Sequence, residues 1–175
     1  MEYGLGSLKE FLEFVQDFKI CYSEFLKELV TDLENQKRIL HENKICHRDL
    51  KPADIIIRSG MKFVFSDYGL TGKFENMTQK LGICGTLEYL PPEIQKADSS
   101  GIKVCEMNPY ENDDFALKKI IREAEEVIKQ AKIEDKASIE RKFIDFCIAK
   151  WYQSDKDGQQ DKELKDIMNK SGVSF

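Results

Sequence analysis

Apolar residues recur every three to four positions in several stretches of this chain, which is the spacing of an amphipathic helix. In one long stretch the repeated positions are Tyr22, Leu26, Leu29, Val30, Leu33 and Leu40. On this basis helices are predicted over residues 7–17, 22–40, 113–131 and 134–151, with a weaker helix over 161–169. Ser7 and Glu10 add the pattern of a capping box at the start of the first helix.

Two short apolar runs interrupt the helical pattern. Ile55-Ile56-Ile57 and Lys62-Phe63-Val64-Phe65 are rich in β-forming residues and are separated by Ser59-Gly60, so a hairpin is predicted. The stretch 67–109 is polar, contains Pro91-Pro92, and is predicted to be a loop. The pattern therefore predicts a mainly α-helical domain with one small β-hairpin.

Composition narrows the classes of partner. The 175 residues are 41% hydrophobic and 34% charged, with a net charge of −5. This acidic balance disfavours a nucleic-acid partner and a membrane-surface role based on basic patches. The five cysteines are scattered and contain no C-x-x-C, which fits reduced thiols and a cytoplasmic location.

The most informative motif lies between the second helix and the hairpin. It reads His47-Arg48-Asp49-Leu50-Lys51-Pro52-Ala53-Asp54. It resembles the catalytic loop H-R-D-L-x-x-x-N of eukaryotic-type protein kinases. The last position departs from that pattern, because Asp54 stands where the family has an asparagine.

Further motifs follow in the order of a kinase C-terminal lobe. Asp67-Tyr68-Gly69 resembles the D-F-G motif. The run from Cys84 to Glu93 resembles the end of an activation segment, with P-P-E for A-P-E. Asn112 to Leu117 resembles the start of the helix that follows the activation segment. Met1 to Leu8 resembles the hinge between kinase lobes. The resemblance is to a Ser/Thr-type kinase C-lobe, because Lys51 is typical of that class.

The resemblance implies a set of catalytic and metal-binding residues. Asp49 would orient the substrate hydroxyl, Lys51 would lie against the γ-phosphate of ATP, and Thr86 would hydrogen-bond to both. Asp67 and Asp54 would bind magnesium ions. Taken singly, these aspartates also fit ordinary turns and the lysine an exposed surface position, but their order and spacing favour the catalytic interpretation.

The resemblance also implies structural and nucleotide-binding residues. Backbone groups of Glu2 and Gly4, and the side chain of Ile56, would contact the adenine. His47 and Tyr68 would pack in the interior, Arg48 would face the activation segment, and Asp113 would hold the catalytic loop from below. The full set of structural motif residues is His47, Arg48, Tyr68, Gly69, Glu93 and Asp113. No arginine that would pair with Glu93 is found, and Gly82 occupies the usual phosphorylation site, so that Thr78 is the nearest candidate.

The chain is interpreted as one C-lobe-like domain over residues 1–175. Residues 1–8 form its hinge-like start, 9–117 match the C-lobe well, and 118–175 form a divergent helical end. No G-x-G-x-x-G loop or V-A-I-K lysine occurs in the sequence, so the N-lobe is expected to be absent. The charged run 118–126 is interpreted as a solvated helix face rather than a binding patch.

Two functions follow as expectations. The first is a kinase-derived scaffold within a larger cytoplasmic assembly that needs no cofactor and binds a protein partner over the apolar surface of Leu8, Ile56 and Tyr68. The second is an active Ser/Thr kinase that uses ATP and magnesium, with its N-lobe on another chain or in a longer protein.

Overall fold

The computed structural model describes residues 4–154, and side chains through Trp151. Glu2 and the predicted helix over 161–169 lie outside this range. The described residues form five α-helices and several short strands, which confirms the mainly helical fold. The helices are α1 Leu8–Phe18, α2 Phe25–Glu42, α3 Pro92–Ser99, α4 Pro109–Ile128 and α5 Lys136–Ser154.

The strands are two to four residues long and form small sheets between the helices. They are β1 Gly6–Ser7, β2 Ile20–Cys21, β3 Ile45–Cys46, β4 Ile55–Arg58, β5 Lys62–Phe65, β6 Gly72–Lys73, β7 Gln79–Gly82, β8 Val104–Met107 and β9 Lys132–Ile133. β4 and β5 form the predicted hairpin, and β1 adds to it in the order β1-β4-β5. The pairs β3–β6 and β7–β8 are antiparallel, whereas β2–β9 is parallel.

Helix α1 begins with the predicted capping box. The Glu10 backbone amide donates to Ser7 Oγ at 3.3 Å, and the Ser7 amide donates to Glu10 Oε2 at 2.7 Å. The expectation that Leu8 belongs to an exposed apolar surface was wrong, because Leu8 is 0% exposed. It starts the apolar stripe that continues through Phe11, Leu12 and Val15, and this stripe faces the core.

An aromatic cluster joins the first two helices to α5. The Phe143 ring of α5 lies 5.1 Å from that of Phe11, in an edge-to-face arrangement, and 5.8 Å from that of Phe14. Phe25 of α2 lies 5.0 Å from Phe11 on another side. Ring contacts of this kind add about 0.5–1.5 kcal/mol beyond the burial of apolar area. The C-terminal helix is thereby fixed to the helices that precede the catalytic-loop motif.

Side chains of α2 hold the hairpin in place. Gln36 Nε2 donates to the Phe63 carbonyl at 2.7 Å, and its Oε1 accepts from the Phe65 amide at 2.9 Å. Asp32 Oδ2 accepts from the Phe63 amide at 3.1 Å. The backbone groups on one edge of β5 are thus hydrogen-bonded to side chains of α2 instead of to another strand. This fixes the position from which residues 66 and 67 leave the strand.

The prediction of a loop over 67–109 was wrong where this stretch forms the short strand β6, helix α3 and the paired strands β7 and β8. Residues Pro92–Ser99 form α3, which starts with proline at its first position, where no amide hydrogen is needed. β7 and β8 pair over four residues, from Gln79 opposite Met107 to Gly82 opposite Val104. Strand pairing between segments so far apart in sequence leaves no local periodicity to detect.

Helix α4 begins four residues before its predicted start. Asn108 caps it, with Oδ1 accepting from the Tyr110 amide at 3.1 Å, and Pro109 occupies the first turn. Its apolar stripe is buried and includes Leu117, Ile120 and Ala124, while Lys118 is exposed. This confirms the prediction of a helix with one solvated face. All five cysteines are free thiols.

None of the helices in the described range combines the length and the apolar character that crossing a bilayer requires.

Candidate active site

The catalytic-loop motif lies between β3 and β4, above the start of α4. Asp113 of α4 is 1% exposed, and its carboxylate accepts hydrogen bonds from the backbone amides of His47 and Arg48, both at 2.8 Å. The same carboxylate lies 3.1 Å from His41 Nε2 of α2. One buried carboxylate therefore joins two helices to the first turn of the loop.

Arg48 adopts a left-handed backbone conformation with φ of 71°. A non-glycine residue there costs of order 1–3 kcal/mol and persists only when its surroundings fix it. Its Nη2 donates to the Gly82 carbonyl at 3.0 Å, and its guanidinium lies 5.5 Å from the centre of the Phe74 ring. The arginine thus contacts the end of β7 through a carbonyl and the segment between β6 and β7 through an aromatic ring.

The Asp49 carboxylate has a defined partner on each oxygen. Oδ1 accepts from both the hydroxyl and the amide of Thr86, each at 2.7 Å, and Oδ2 accepts from Lys51 Nζ at 2.7 Å. Gly85 makes the approach of Thr86 possible. It has φ of 96°, and a β-carbon at that position would collide with the Arg48 carbonyl oxygen.

These contacts set the charge states of Asp49 and Lys51. Partial burial acts to raise the pKa of Asp49, but hydrogen bonds from Lys51 and Thr86 outweigh it and hold the pKa below its ordinary value. The hydrogen bond to Asp49 in turn raises the pKa of Lys51. At neutral pH the site therefore holds an oriented carboxylate beside an ammonium group.

The two candidate metal ligands lie at the ends of the hairpin. Asp54 precedes β4 and Asp67 follows β5, and the Ser66 amide donates to the Asp54 carbonyl at 2.8 Å, so the two ends are neighbours. Asp67 is exposed and, like Arg48, left-handed, with φ of 55°. Its Oδ1 accepts a 3.3 Å hydrogen bond from the Gly69 amide.

These donors fit a hard divalent cation. Magnesium prefers carboxylate oxygens, and among residues 4–154 the Asp67 carboxylate is engaged by the Gly69 amide alone. Asp54 is buried, and within the same range its Oδ2 accepts no hydrogen bond, although Lys51 Nζ lies 3.0 Å away as an ion pair. Asp54 thus shares Lys51 with Asp49, a contact that its position in the motif did not indicate.

Two of the predicted adenine contacts, Gly4 and Ile56, are within the described range and lie next to each other. Gly4 packs against Ile56 so closely that a β-carbon on Gly4 would collide with Ile56 Cγ2, and the Leu5 amide donates to the Ile57 carbonyl at 2.6 Å. Tyr68 is 49% exposed, and the neighbouring Leu70 is also exposed. An open apolar surface therefore borders the site, but Leu8, which was expected to belong to it, is buried.

The remaining motif residues are structural or exposed. His47 is buried, its Nε2 lies 2.9 Å from the Ser66 carbonyl, and its ring is 5.1 Å from that of Tyr68. Gly69 offers its amide to Asp67. Glu93 is exposed in the first turn of α3 and pairs with no residue of the described range.

One cluster of possible metal ligands was not predicted. Donor atoms of His41, Cys46 and Asp113 lie within 4.8 Å of one another. Burial raises the pKa of the Cys46 thiol to about 12, so the sulfur keeps its proton at neutral pH. The Asp113 carboxylate accepts two loop amides, so this cluster supports the catalytic loop.

Comparison with known proteins agrees with this geometry. The family model "Protein kinase domain" matches residues 1–151. The chain belongs to the protein kinase family.

Several curated relatives are kinases, and one of them is named as a serine/threonine-protein kinase. The Arabidopsis thaliana serine/threonine-protein kinase AtPK1/AtPK6 is 46% identical over 55 residues, which cover 31% of this chain and 12% of that protein. The inhibitor of nuclear factor kappa-B kinase subunit beta of Mus musculus is 33% identical over 102 residues, which cover 54% of this chain and 13% of that protein. The Aurora kinase of Dictyostelium discoideum is 32% identical over 124 residues, which cover 56% of this chain and 32% of that protein. The chain thus spans less than a third of each of these relatives.

Proposed function

We propose that this chain is the catalytic-loop lobe of a Ser/Thr protein kinase. The observation that carries the proposal is the fixed Asp49 carboxylate, with both oxygens engaged by Thr86 and Lys51 at 2.7 Å. Asp113 holds the backbone of the loop, whereas these contacts fix the orientation of the Asp49 carboxylate itself. Left-handed backbone at Arg48 and Asp67, on either side of the same site, adds local strain of the kind that concentrates at functional positions.

In the proposed reaction, Asp49 orients the hydroxyl of a substrate serine or threonine and accepts its proton as the reaction proceeds. The hydroxyl oxygen forms a bond to the γ-phosphorus of ATP while the bond from that phosphorus to the bridging oxygen breaks, and ADP leaves. Lys51 balances negative charge on the transferred group. Magnesium bound by Asp67 and Asp54 would neutralise the phosphate charge.

The groups that cover the nucleotide in a kinase are not among the residues of this sequence. The proposal therefore assigns them to another segment of a longer protein or to another chain. On this view residues 1–175 supply the hydroxyl-orienting and metal-binding half of the site.

A second function is favoured by the surface beside the site. Ile56 is half-buried, and Tyr68 and Leu70 are exposed, so the face that borders the nucleotide site is apolar. Exposed apolar patches commonly mark protein-binding sites. A kinase-derived binding module that covers this face with a protein partner is the alternative proposal.

Nucleotide binding separates the two proposals. We expect ATP with magnesium to raise the melting temperature of the purified chain, since a ligand that binds only the folded state stabilises it, by about 1.4 kcal/mol at tenfold excess over Kd. Asp67→Asn should abolish the shift, whereas Asp17→Asn, on the exposed side of α1, should preserve it.

Transfer is then tested in the longest natural form of the protein. There Asp49→Asn should remove phosphorylation of serine peptides. No shift with millimolar ATP and magnesium, together with no transfer by the longest form, contradicts the catalytic proposal and favours the binding module.

A further inference from the structure

A groove of roughly 860 Å³ lies beside the catalytic loop, between α1 and α4. Lys51 and Thr86, which engage Asp49, form one end of it. Because Lys51 and Thr86 both contact Asp49, a peptide whose hydroxyl reaches Asp49 can lie along this groove. Its side chains therefore bear on the substrate class, provided that the proposed kinase function holds.

One acidic pair dominates the wall nearest to Thr86. Glu88 follows Thr86 by two positions, and Glu123 extends from α4 into the same groove. The Tyr89 hydroxyl donates to Glu123 Oε2 at 2.9 Å. Two carboxylates beside an aromatic ring are the features that recognise a lysine or arginine side chain.

Lys119 of the same chain fills this arrangement. Its Nζ lies 3.2 Å from Glu88 Oε1 and 3.7 Å from Glu123 Oε1, and it donates to the Glu88 carbonyl at 3.0 Å. It also lies 4.9 Å from the centre of the Tyr89 ring. One ammonium group thus meets two carboxylates, a carbonyl oxygen and a ring face.

The other acidic groups of the groove are also paired. Glu13 is paired with Lys150, and Glu126 with Lys129. No acidic side chain of the groove is therefore left to attract a basic peptide.

We propose that Lys119 is a specificity-determining residue that occupies a cation subsite from within, so that the wild-type chain does not select basic residues beside the phosphorylated hydroxyl. A substrate lysine or arginine gains nothing there unless it displaces an ammonium group that is hydrogen-bonded to Glu88 and paired with Glu123. Substrates with uncharged side chains at that position do not have to displace Lys119. The inference rests on the proposed function only for calling the bound peptide a substrate.

The test is peptide binding without nucleotide, measured by fluorescence anisotropy. Two labelled serine peptides are compared, one with arginines flanking the serine and one with citrullines, which keep the shape and lack the charge. Wild type should bind both within about twofold. Lys119→Met, which keeps the chain length and removes the charge, should bind the arginine peptide at least about tenfold more tightly than the citrulline peptide, equivalent to about 1.4 kcal/mol.

Two further variants make the outcome decisive. Arg122 lies one turn further along α4 and lines the same groove, so the double variant Lys119→Met/Arg122→Met prevents it from refilling the acidic pair. Lys118→Met removes an exposed charge from the adjacent position and should behave as wild type.

The proposal is overturned if wild type already prefers the arginine peptide, or if neither the single nor the double variant gains that preference, including the case in which no peptide binds to them. If the preference appears while phosphoryl transfer is absent, the subsite assignment stands and the kinase proposal fails. The two conclusions are thereby separated.

Discussion

Replacing Asp113 by asparagine tests whether one buried carboxylate holds the catalytic loop. The carboxylate accepts from the amides of His47 and Arg48 at 2.8 Å and lies 3.1 Å from His41 Nε2. Asparagine has nearly the same shape, but one of its two terminal groups is an NH2 that cannot accept a hydrogen bond. One of the two loop amides therefore faces a donor and loses its partner.

The magnitude follows from these contacts. A hydrogen bond to a charged group contributes about 1.5–3 kcal/mol, and a buried donor left without an acceptor costs about 1–3 kcal/mol. We expect Asp113→Asn to lower the free energy of unfolding by about 2–3 kcal/mol. For a domain of this size that corresponds to a fall in melting temperature of about 5–10 °C.

The assay is urea unfolding followed by circular dichroism, with hydrogen exchange at the amides of residues 47 and 48 as the local readout. Asp114→Asn is the matched control, because the neighbouring Asp114 carboxylate is half-buried and pairs with Lys37 at 2.6 Å. An ion pair that water still reaches contributes about 0–1 kcal/mol. If Asp113→Asn comes within about 0.5 kcal/mol of this control, or leaves both amides protected, the carboxylate does not hold the loop.

Three other predictions concern the core, the charge pair and the activation segment. Phe143→Ala should destabilise the fold by about 3–5 kcal/mol in urea unfolding, whereas Phe18→Ala, at a position 56% exposed, should cost far less; equal effects would contradict the assignment of the aromatic core. The lowered pKa of Asp49 means that its interactions stabilise the fold above its ordinary pKa and are lost as the pH falls through the lowered value. Thr86→Val should therefore cost about 1 kcal/mol at neutral pH and less in strong acid, and a cost that does not change with pH would be inconsistent with this reasoning. Because β7 is held by its pairing with β8, Thr78→Ala should leave hydrogen exchange of residues 79–82 unchanged, and a tenfold acceleration would show that the segment depends on that threonine.

The elements that could be predicted from the sequence are those fixed by local interactions. α1 and its capping box depend on residues within one or two turns, and so does the buried stripe of α4. The β4–β5 hairpin depends on two adjacent apolar runs and a tight turn. α3 and the β7–β8 pair were missed, because the first is short and polar and the second joins distant segments.

The candidate site shows the same division. The motif spacing indicated that Asp49, Lys51, Thr86 and Asp67 belong together, and the structure adds which atoms of the first three meet. The ion pair of Asp54 with Lys51 was not predicted, because a position in a motif does not specify a side-chain partner.

By itself the sequence determined the class of fold, the order of the elements and the residue types at the catalytic loop. Only the tertiary structure decided that Leu8 is buried and that Lys119 forms ion pairs with Glu88 and Glu123 in the groove. The sequence had placed Lys119 in a run interpreted as a solvated helix face. The physical reason is that periodicity and capping act over a few residues, whereas burial and ion pairing depend on distances between segments far apart in the chain. Those distances are set when α1, α4 and the catalytic loop pack together.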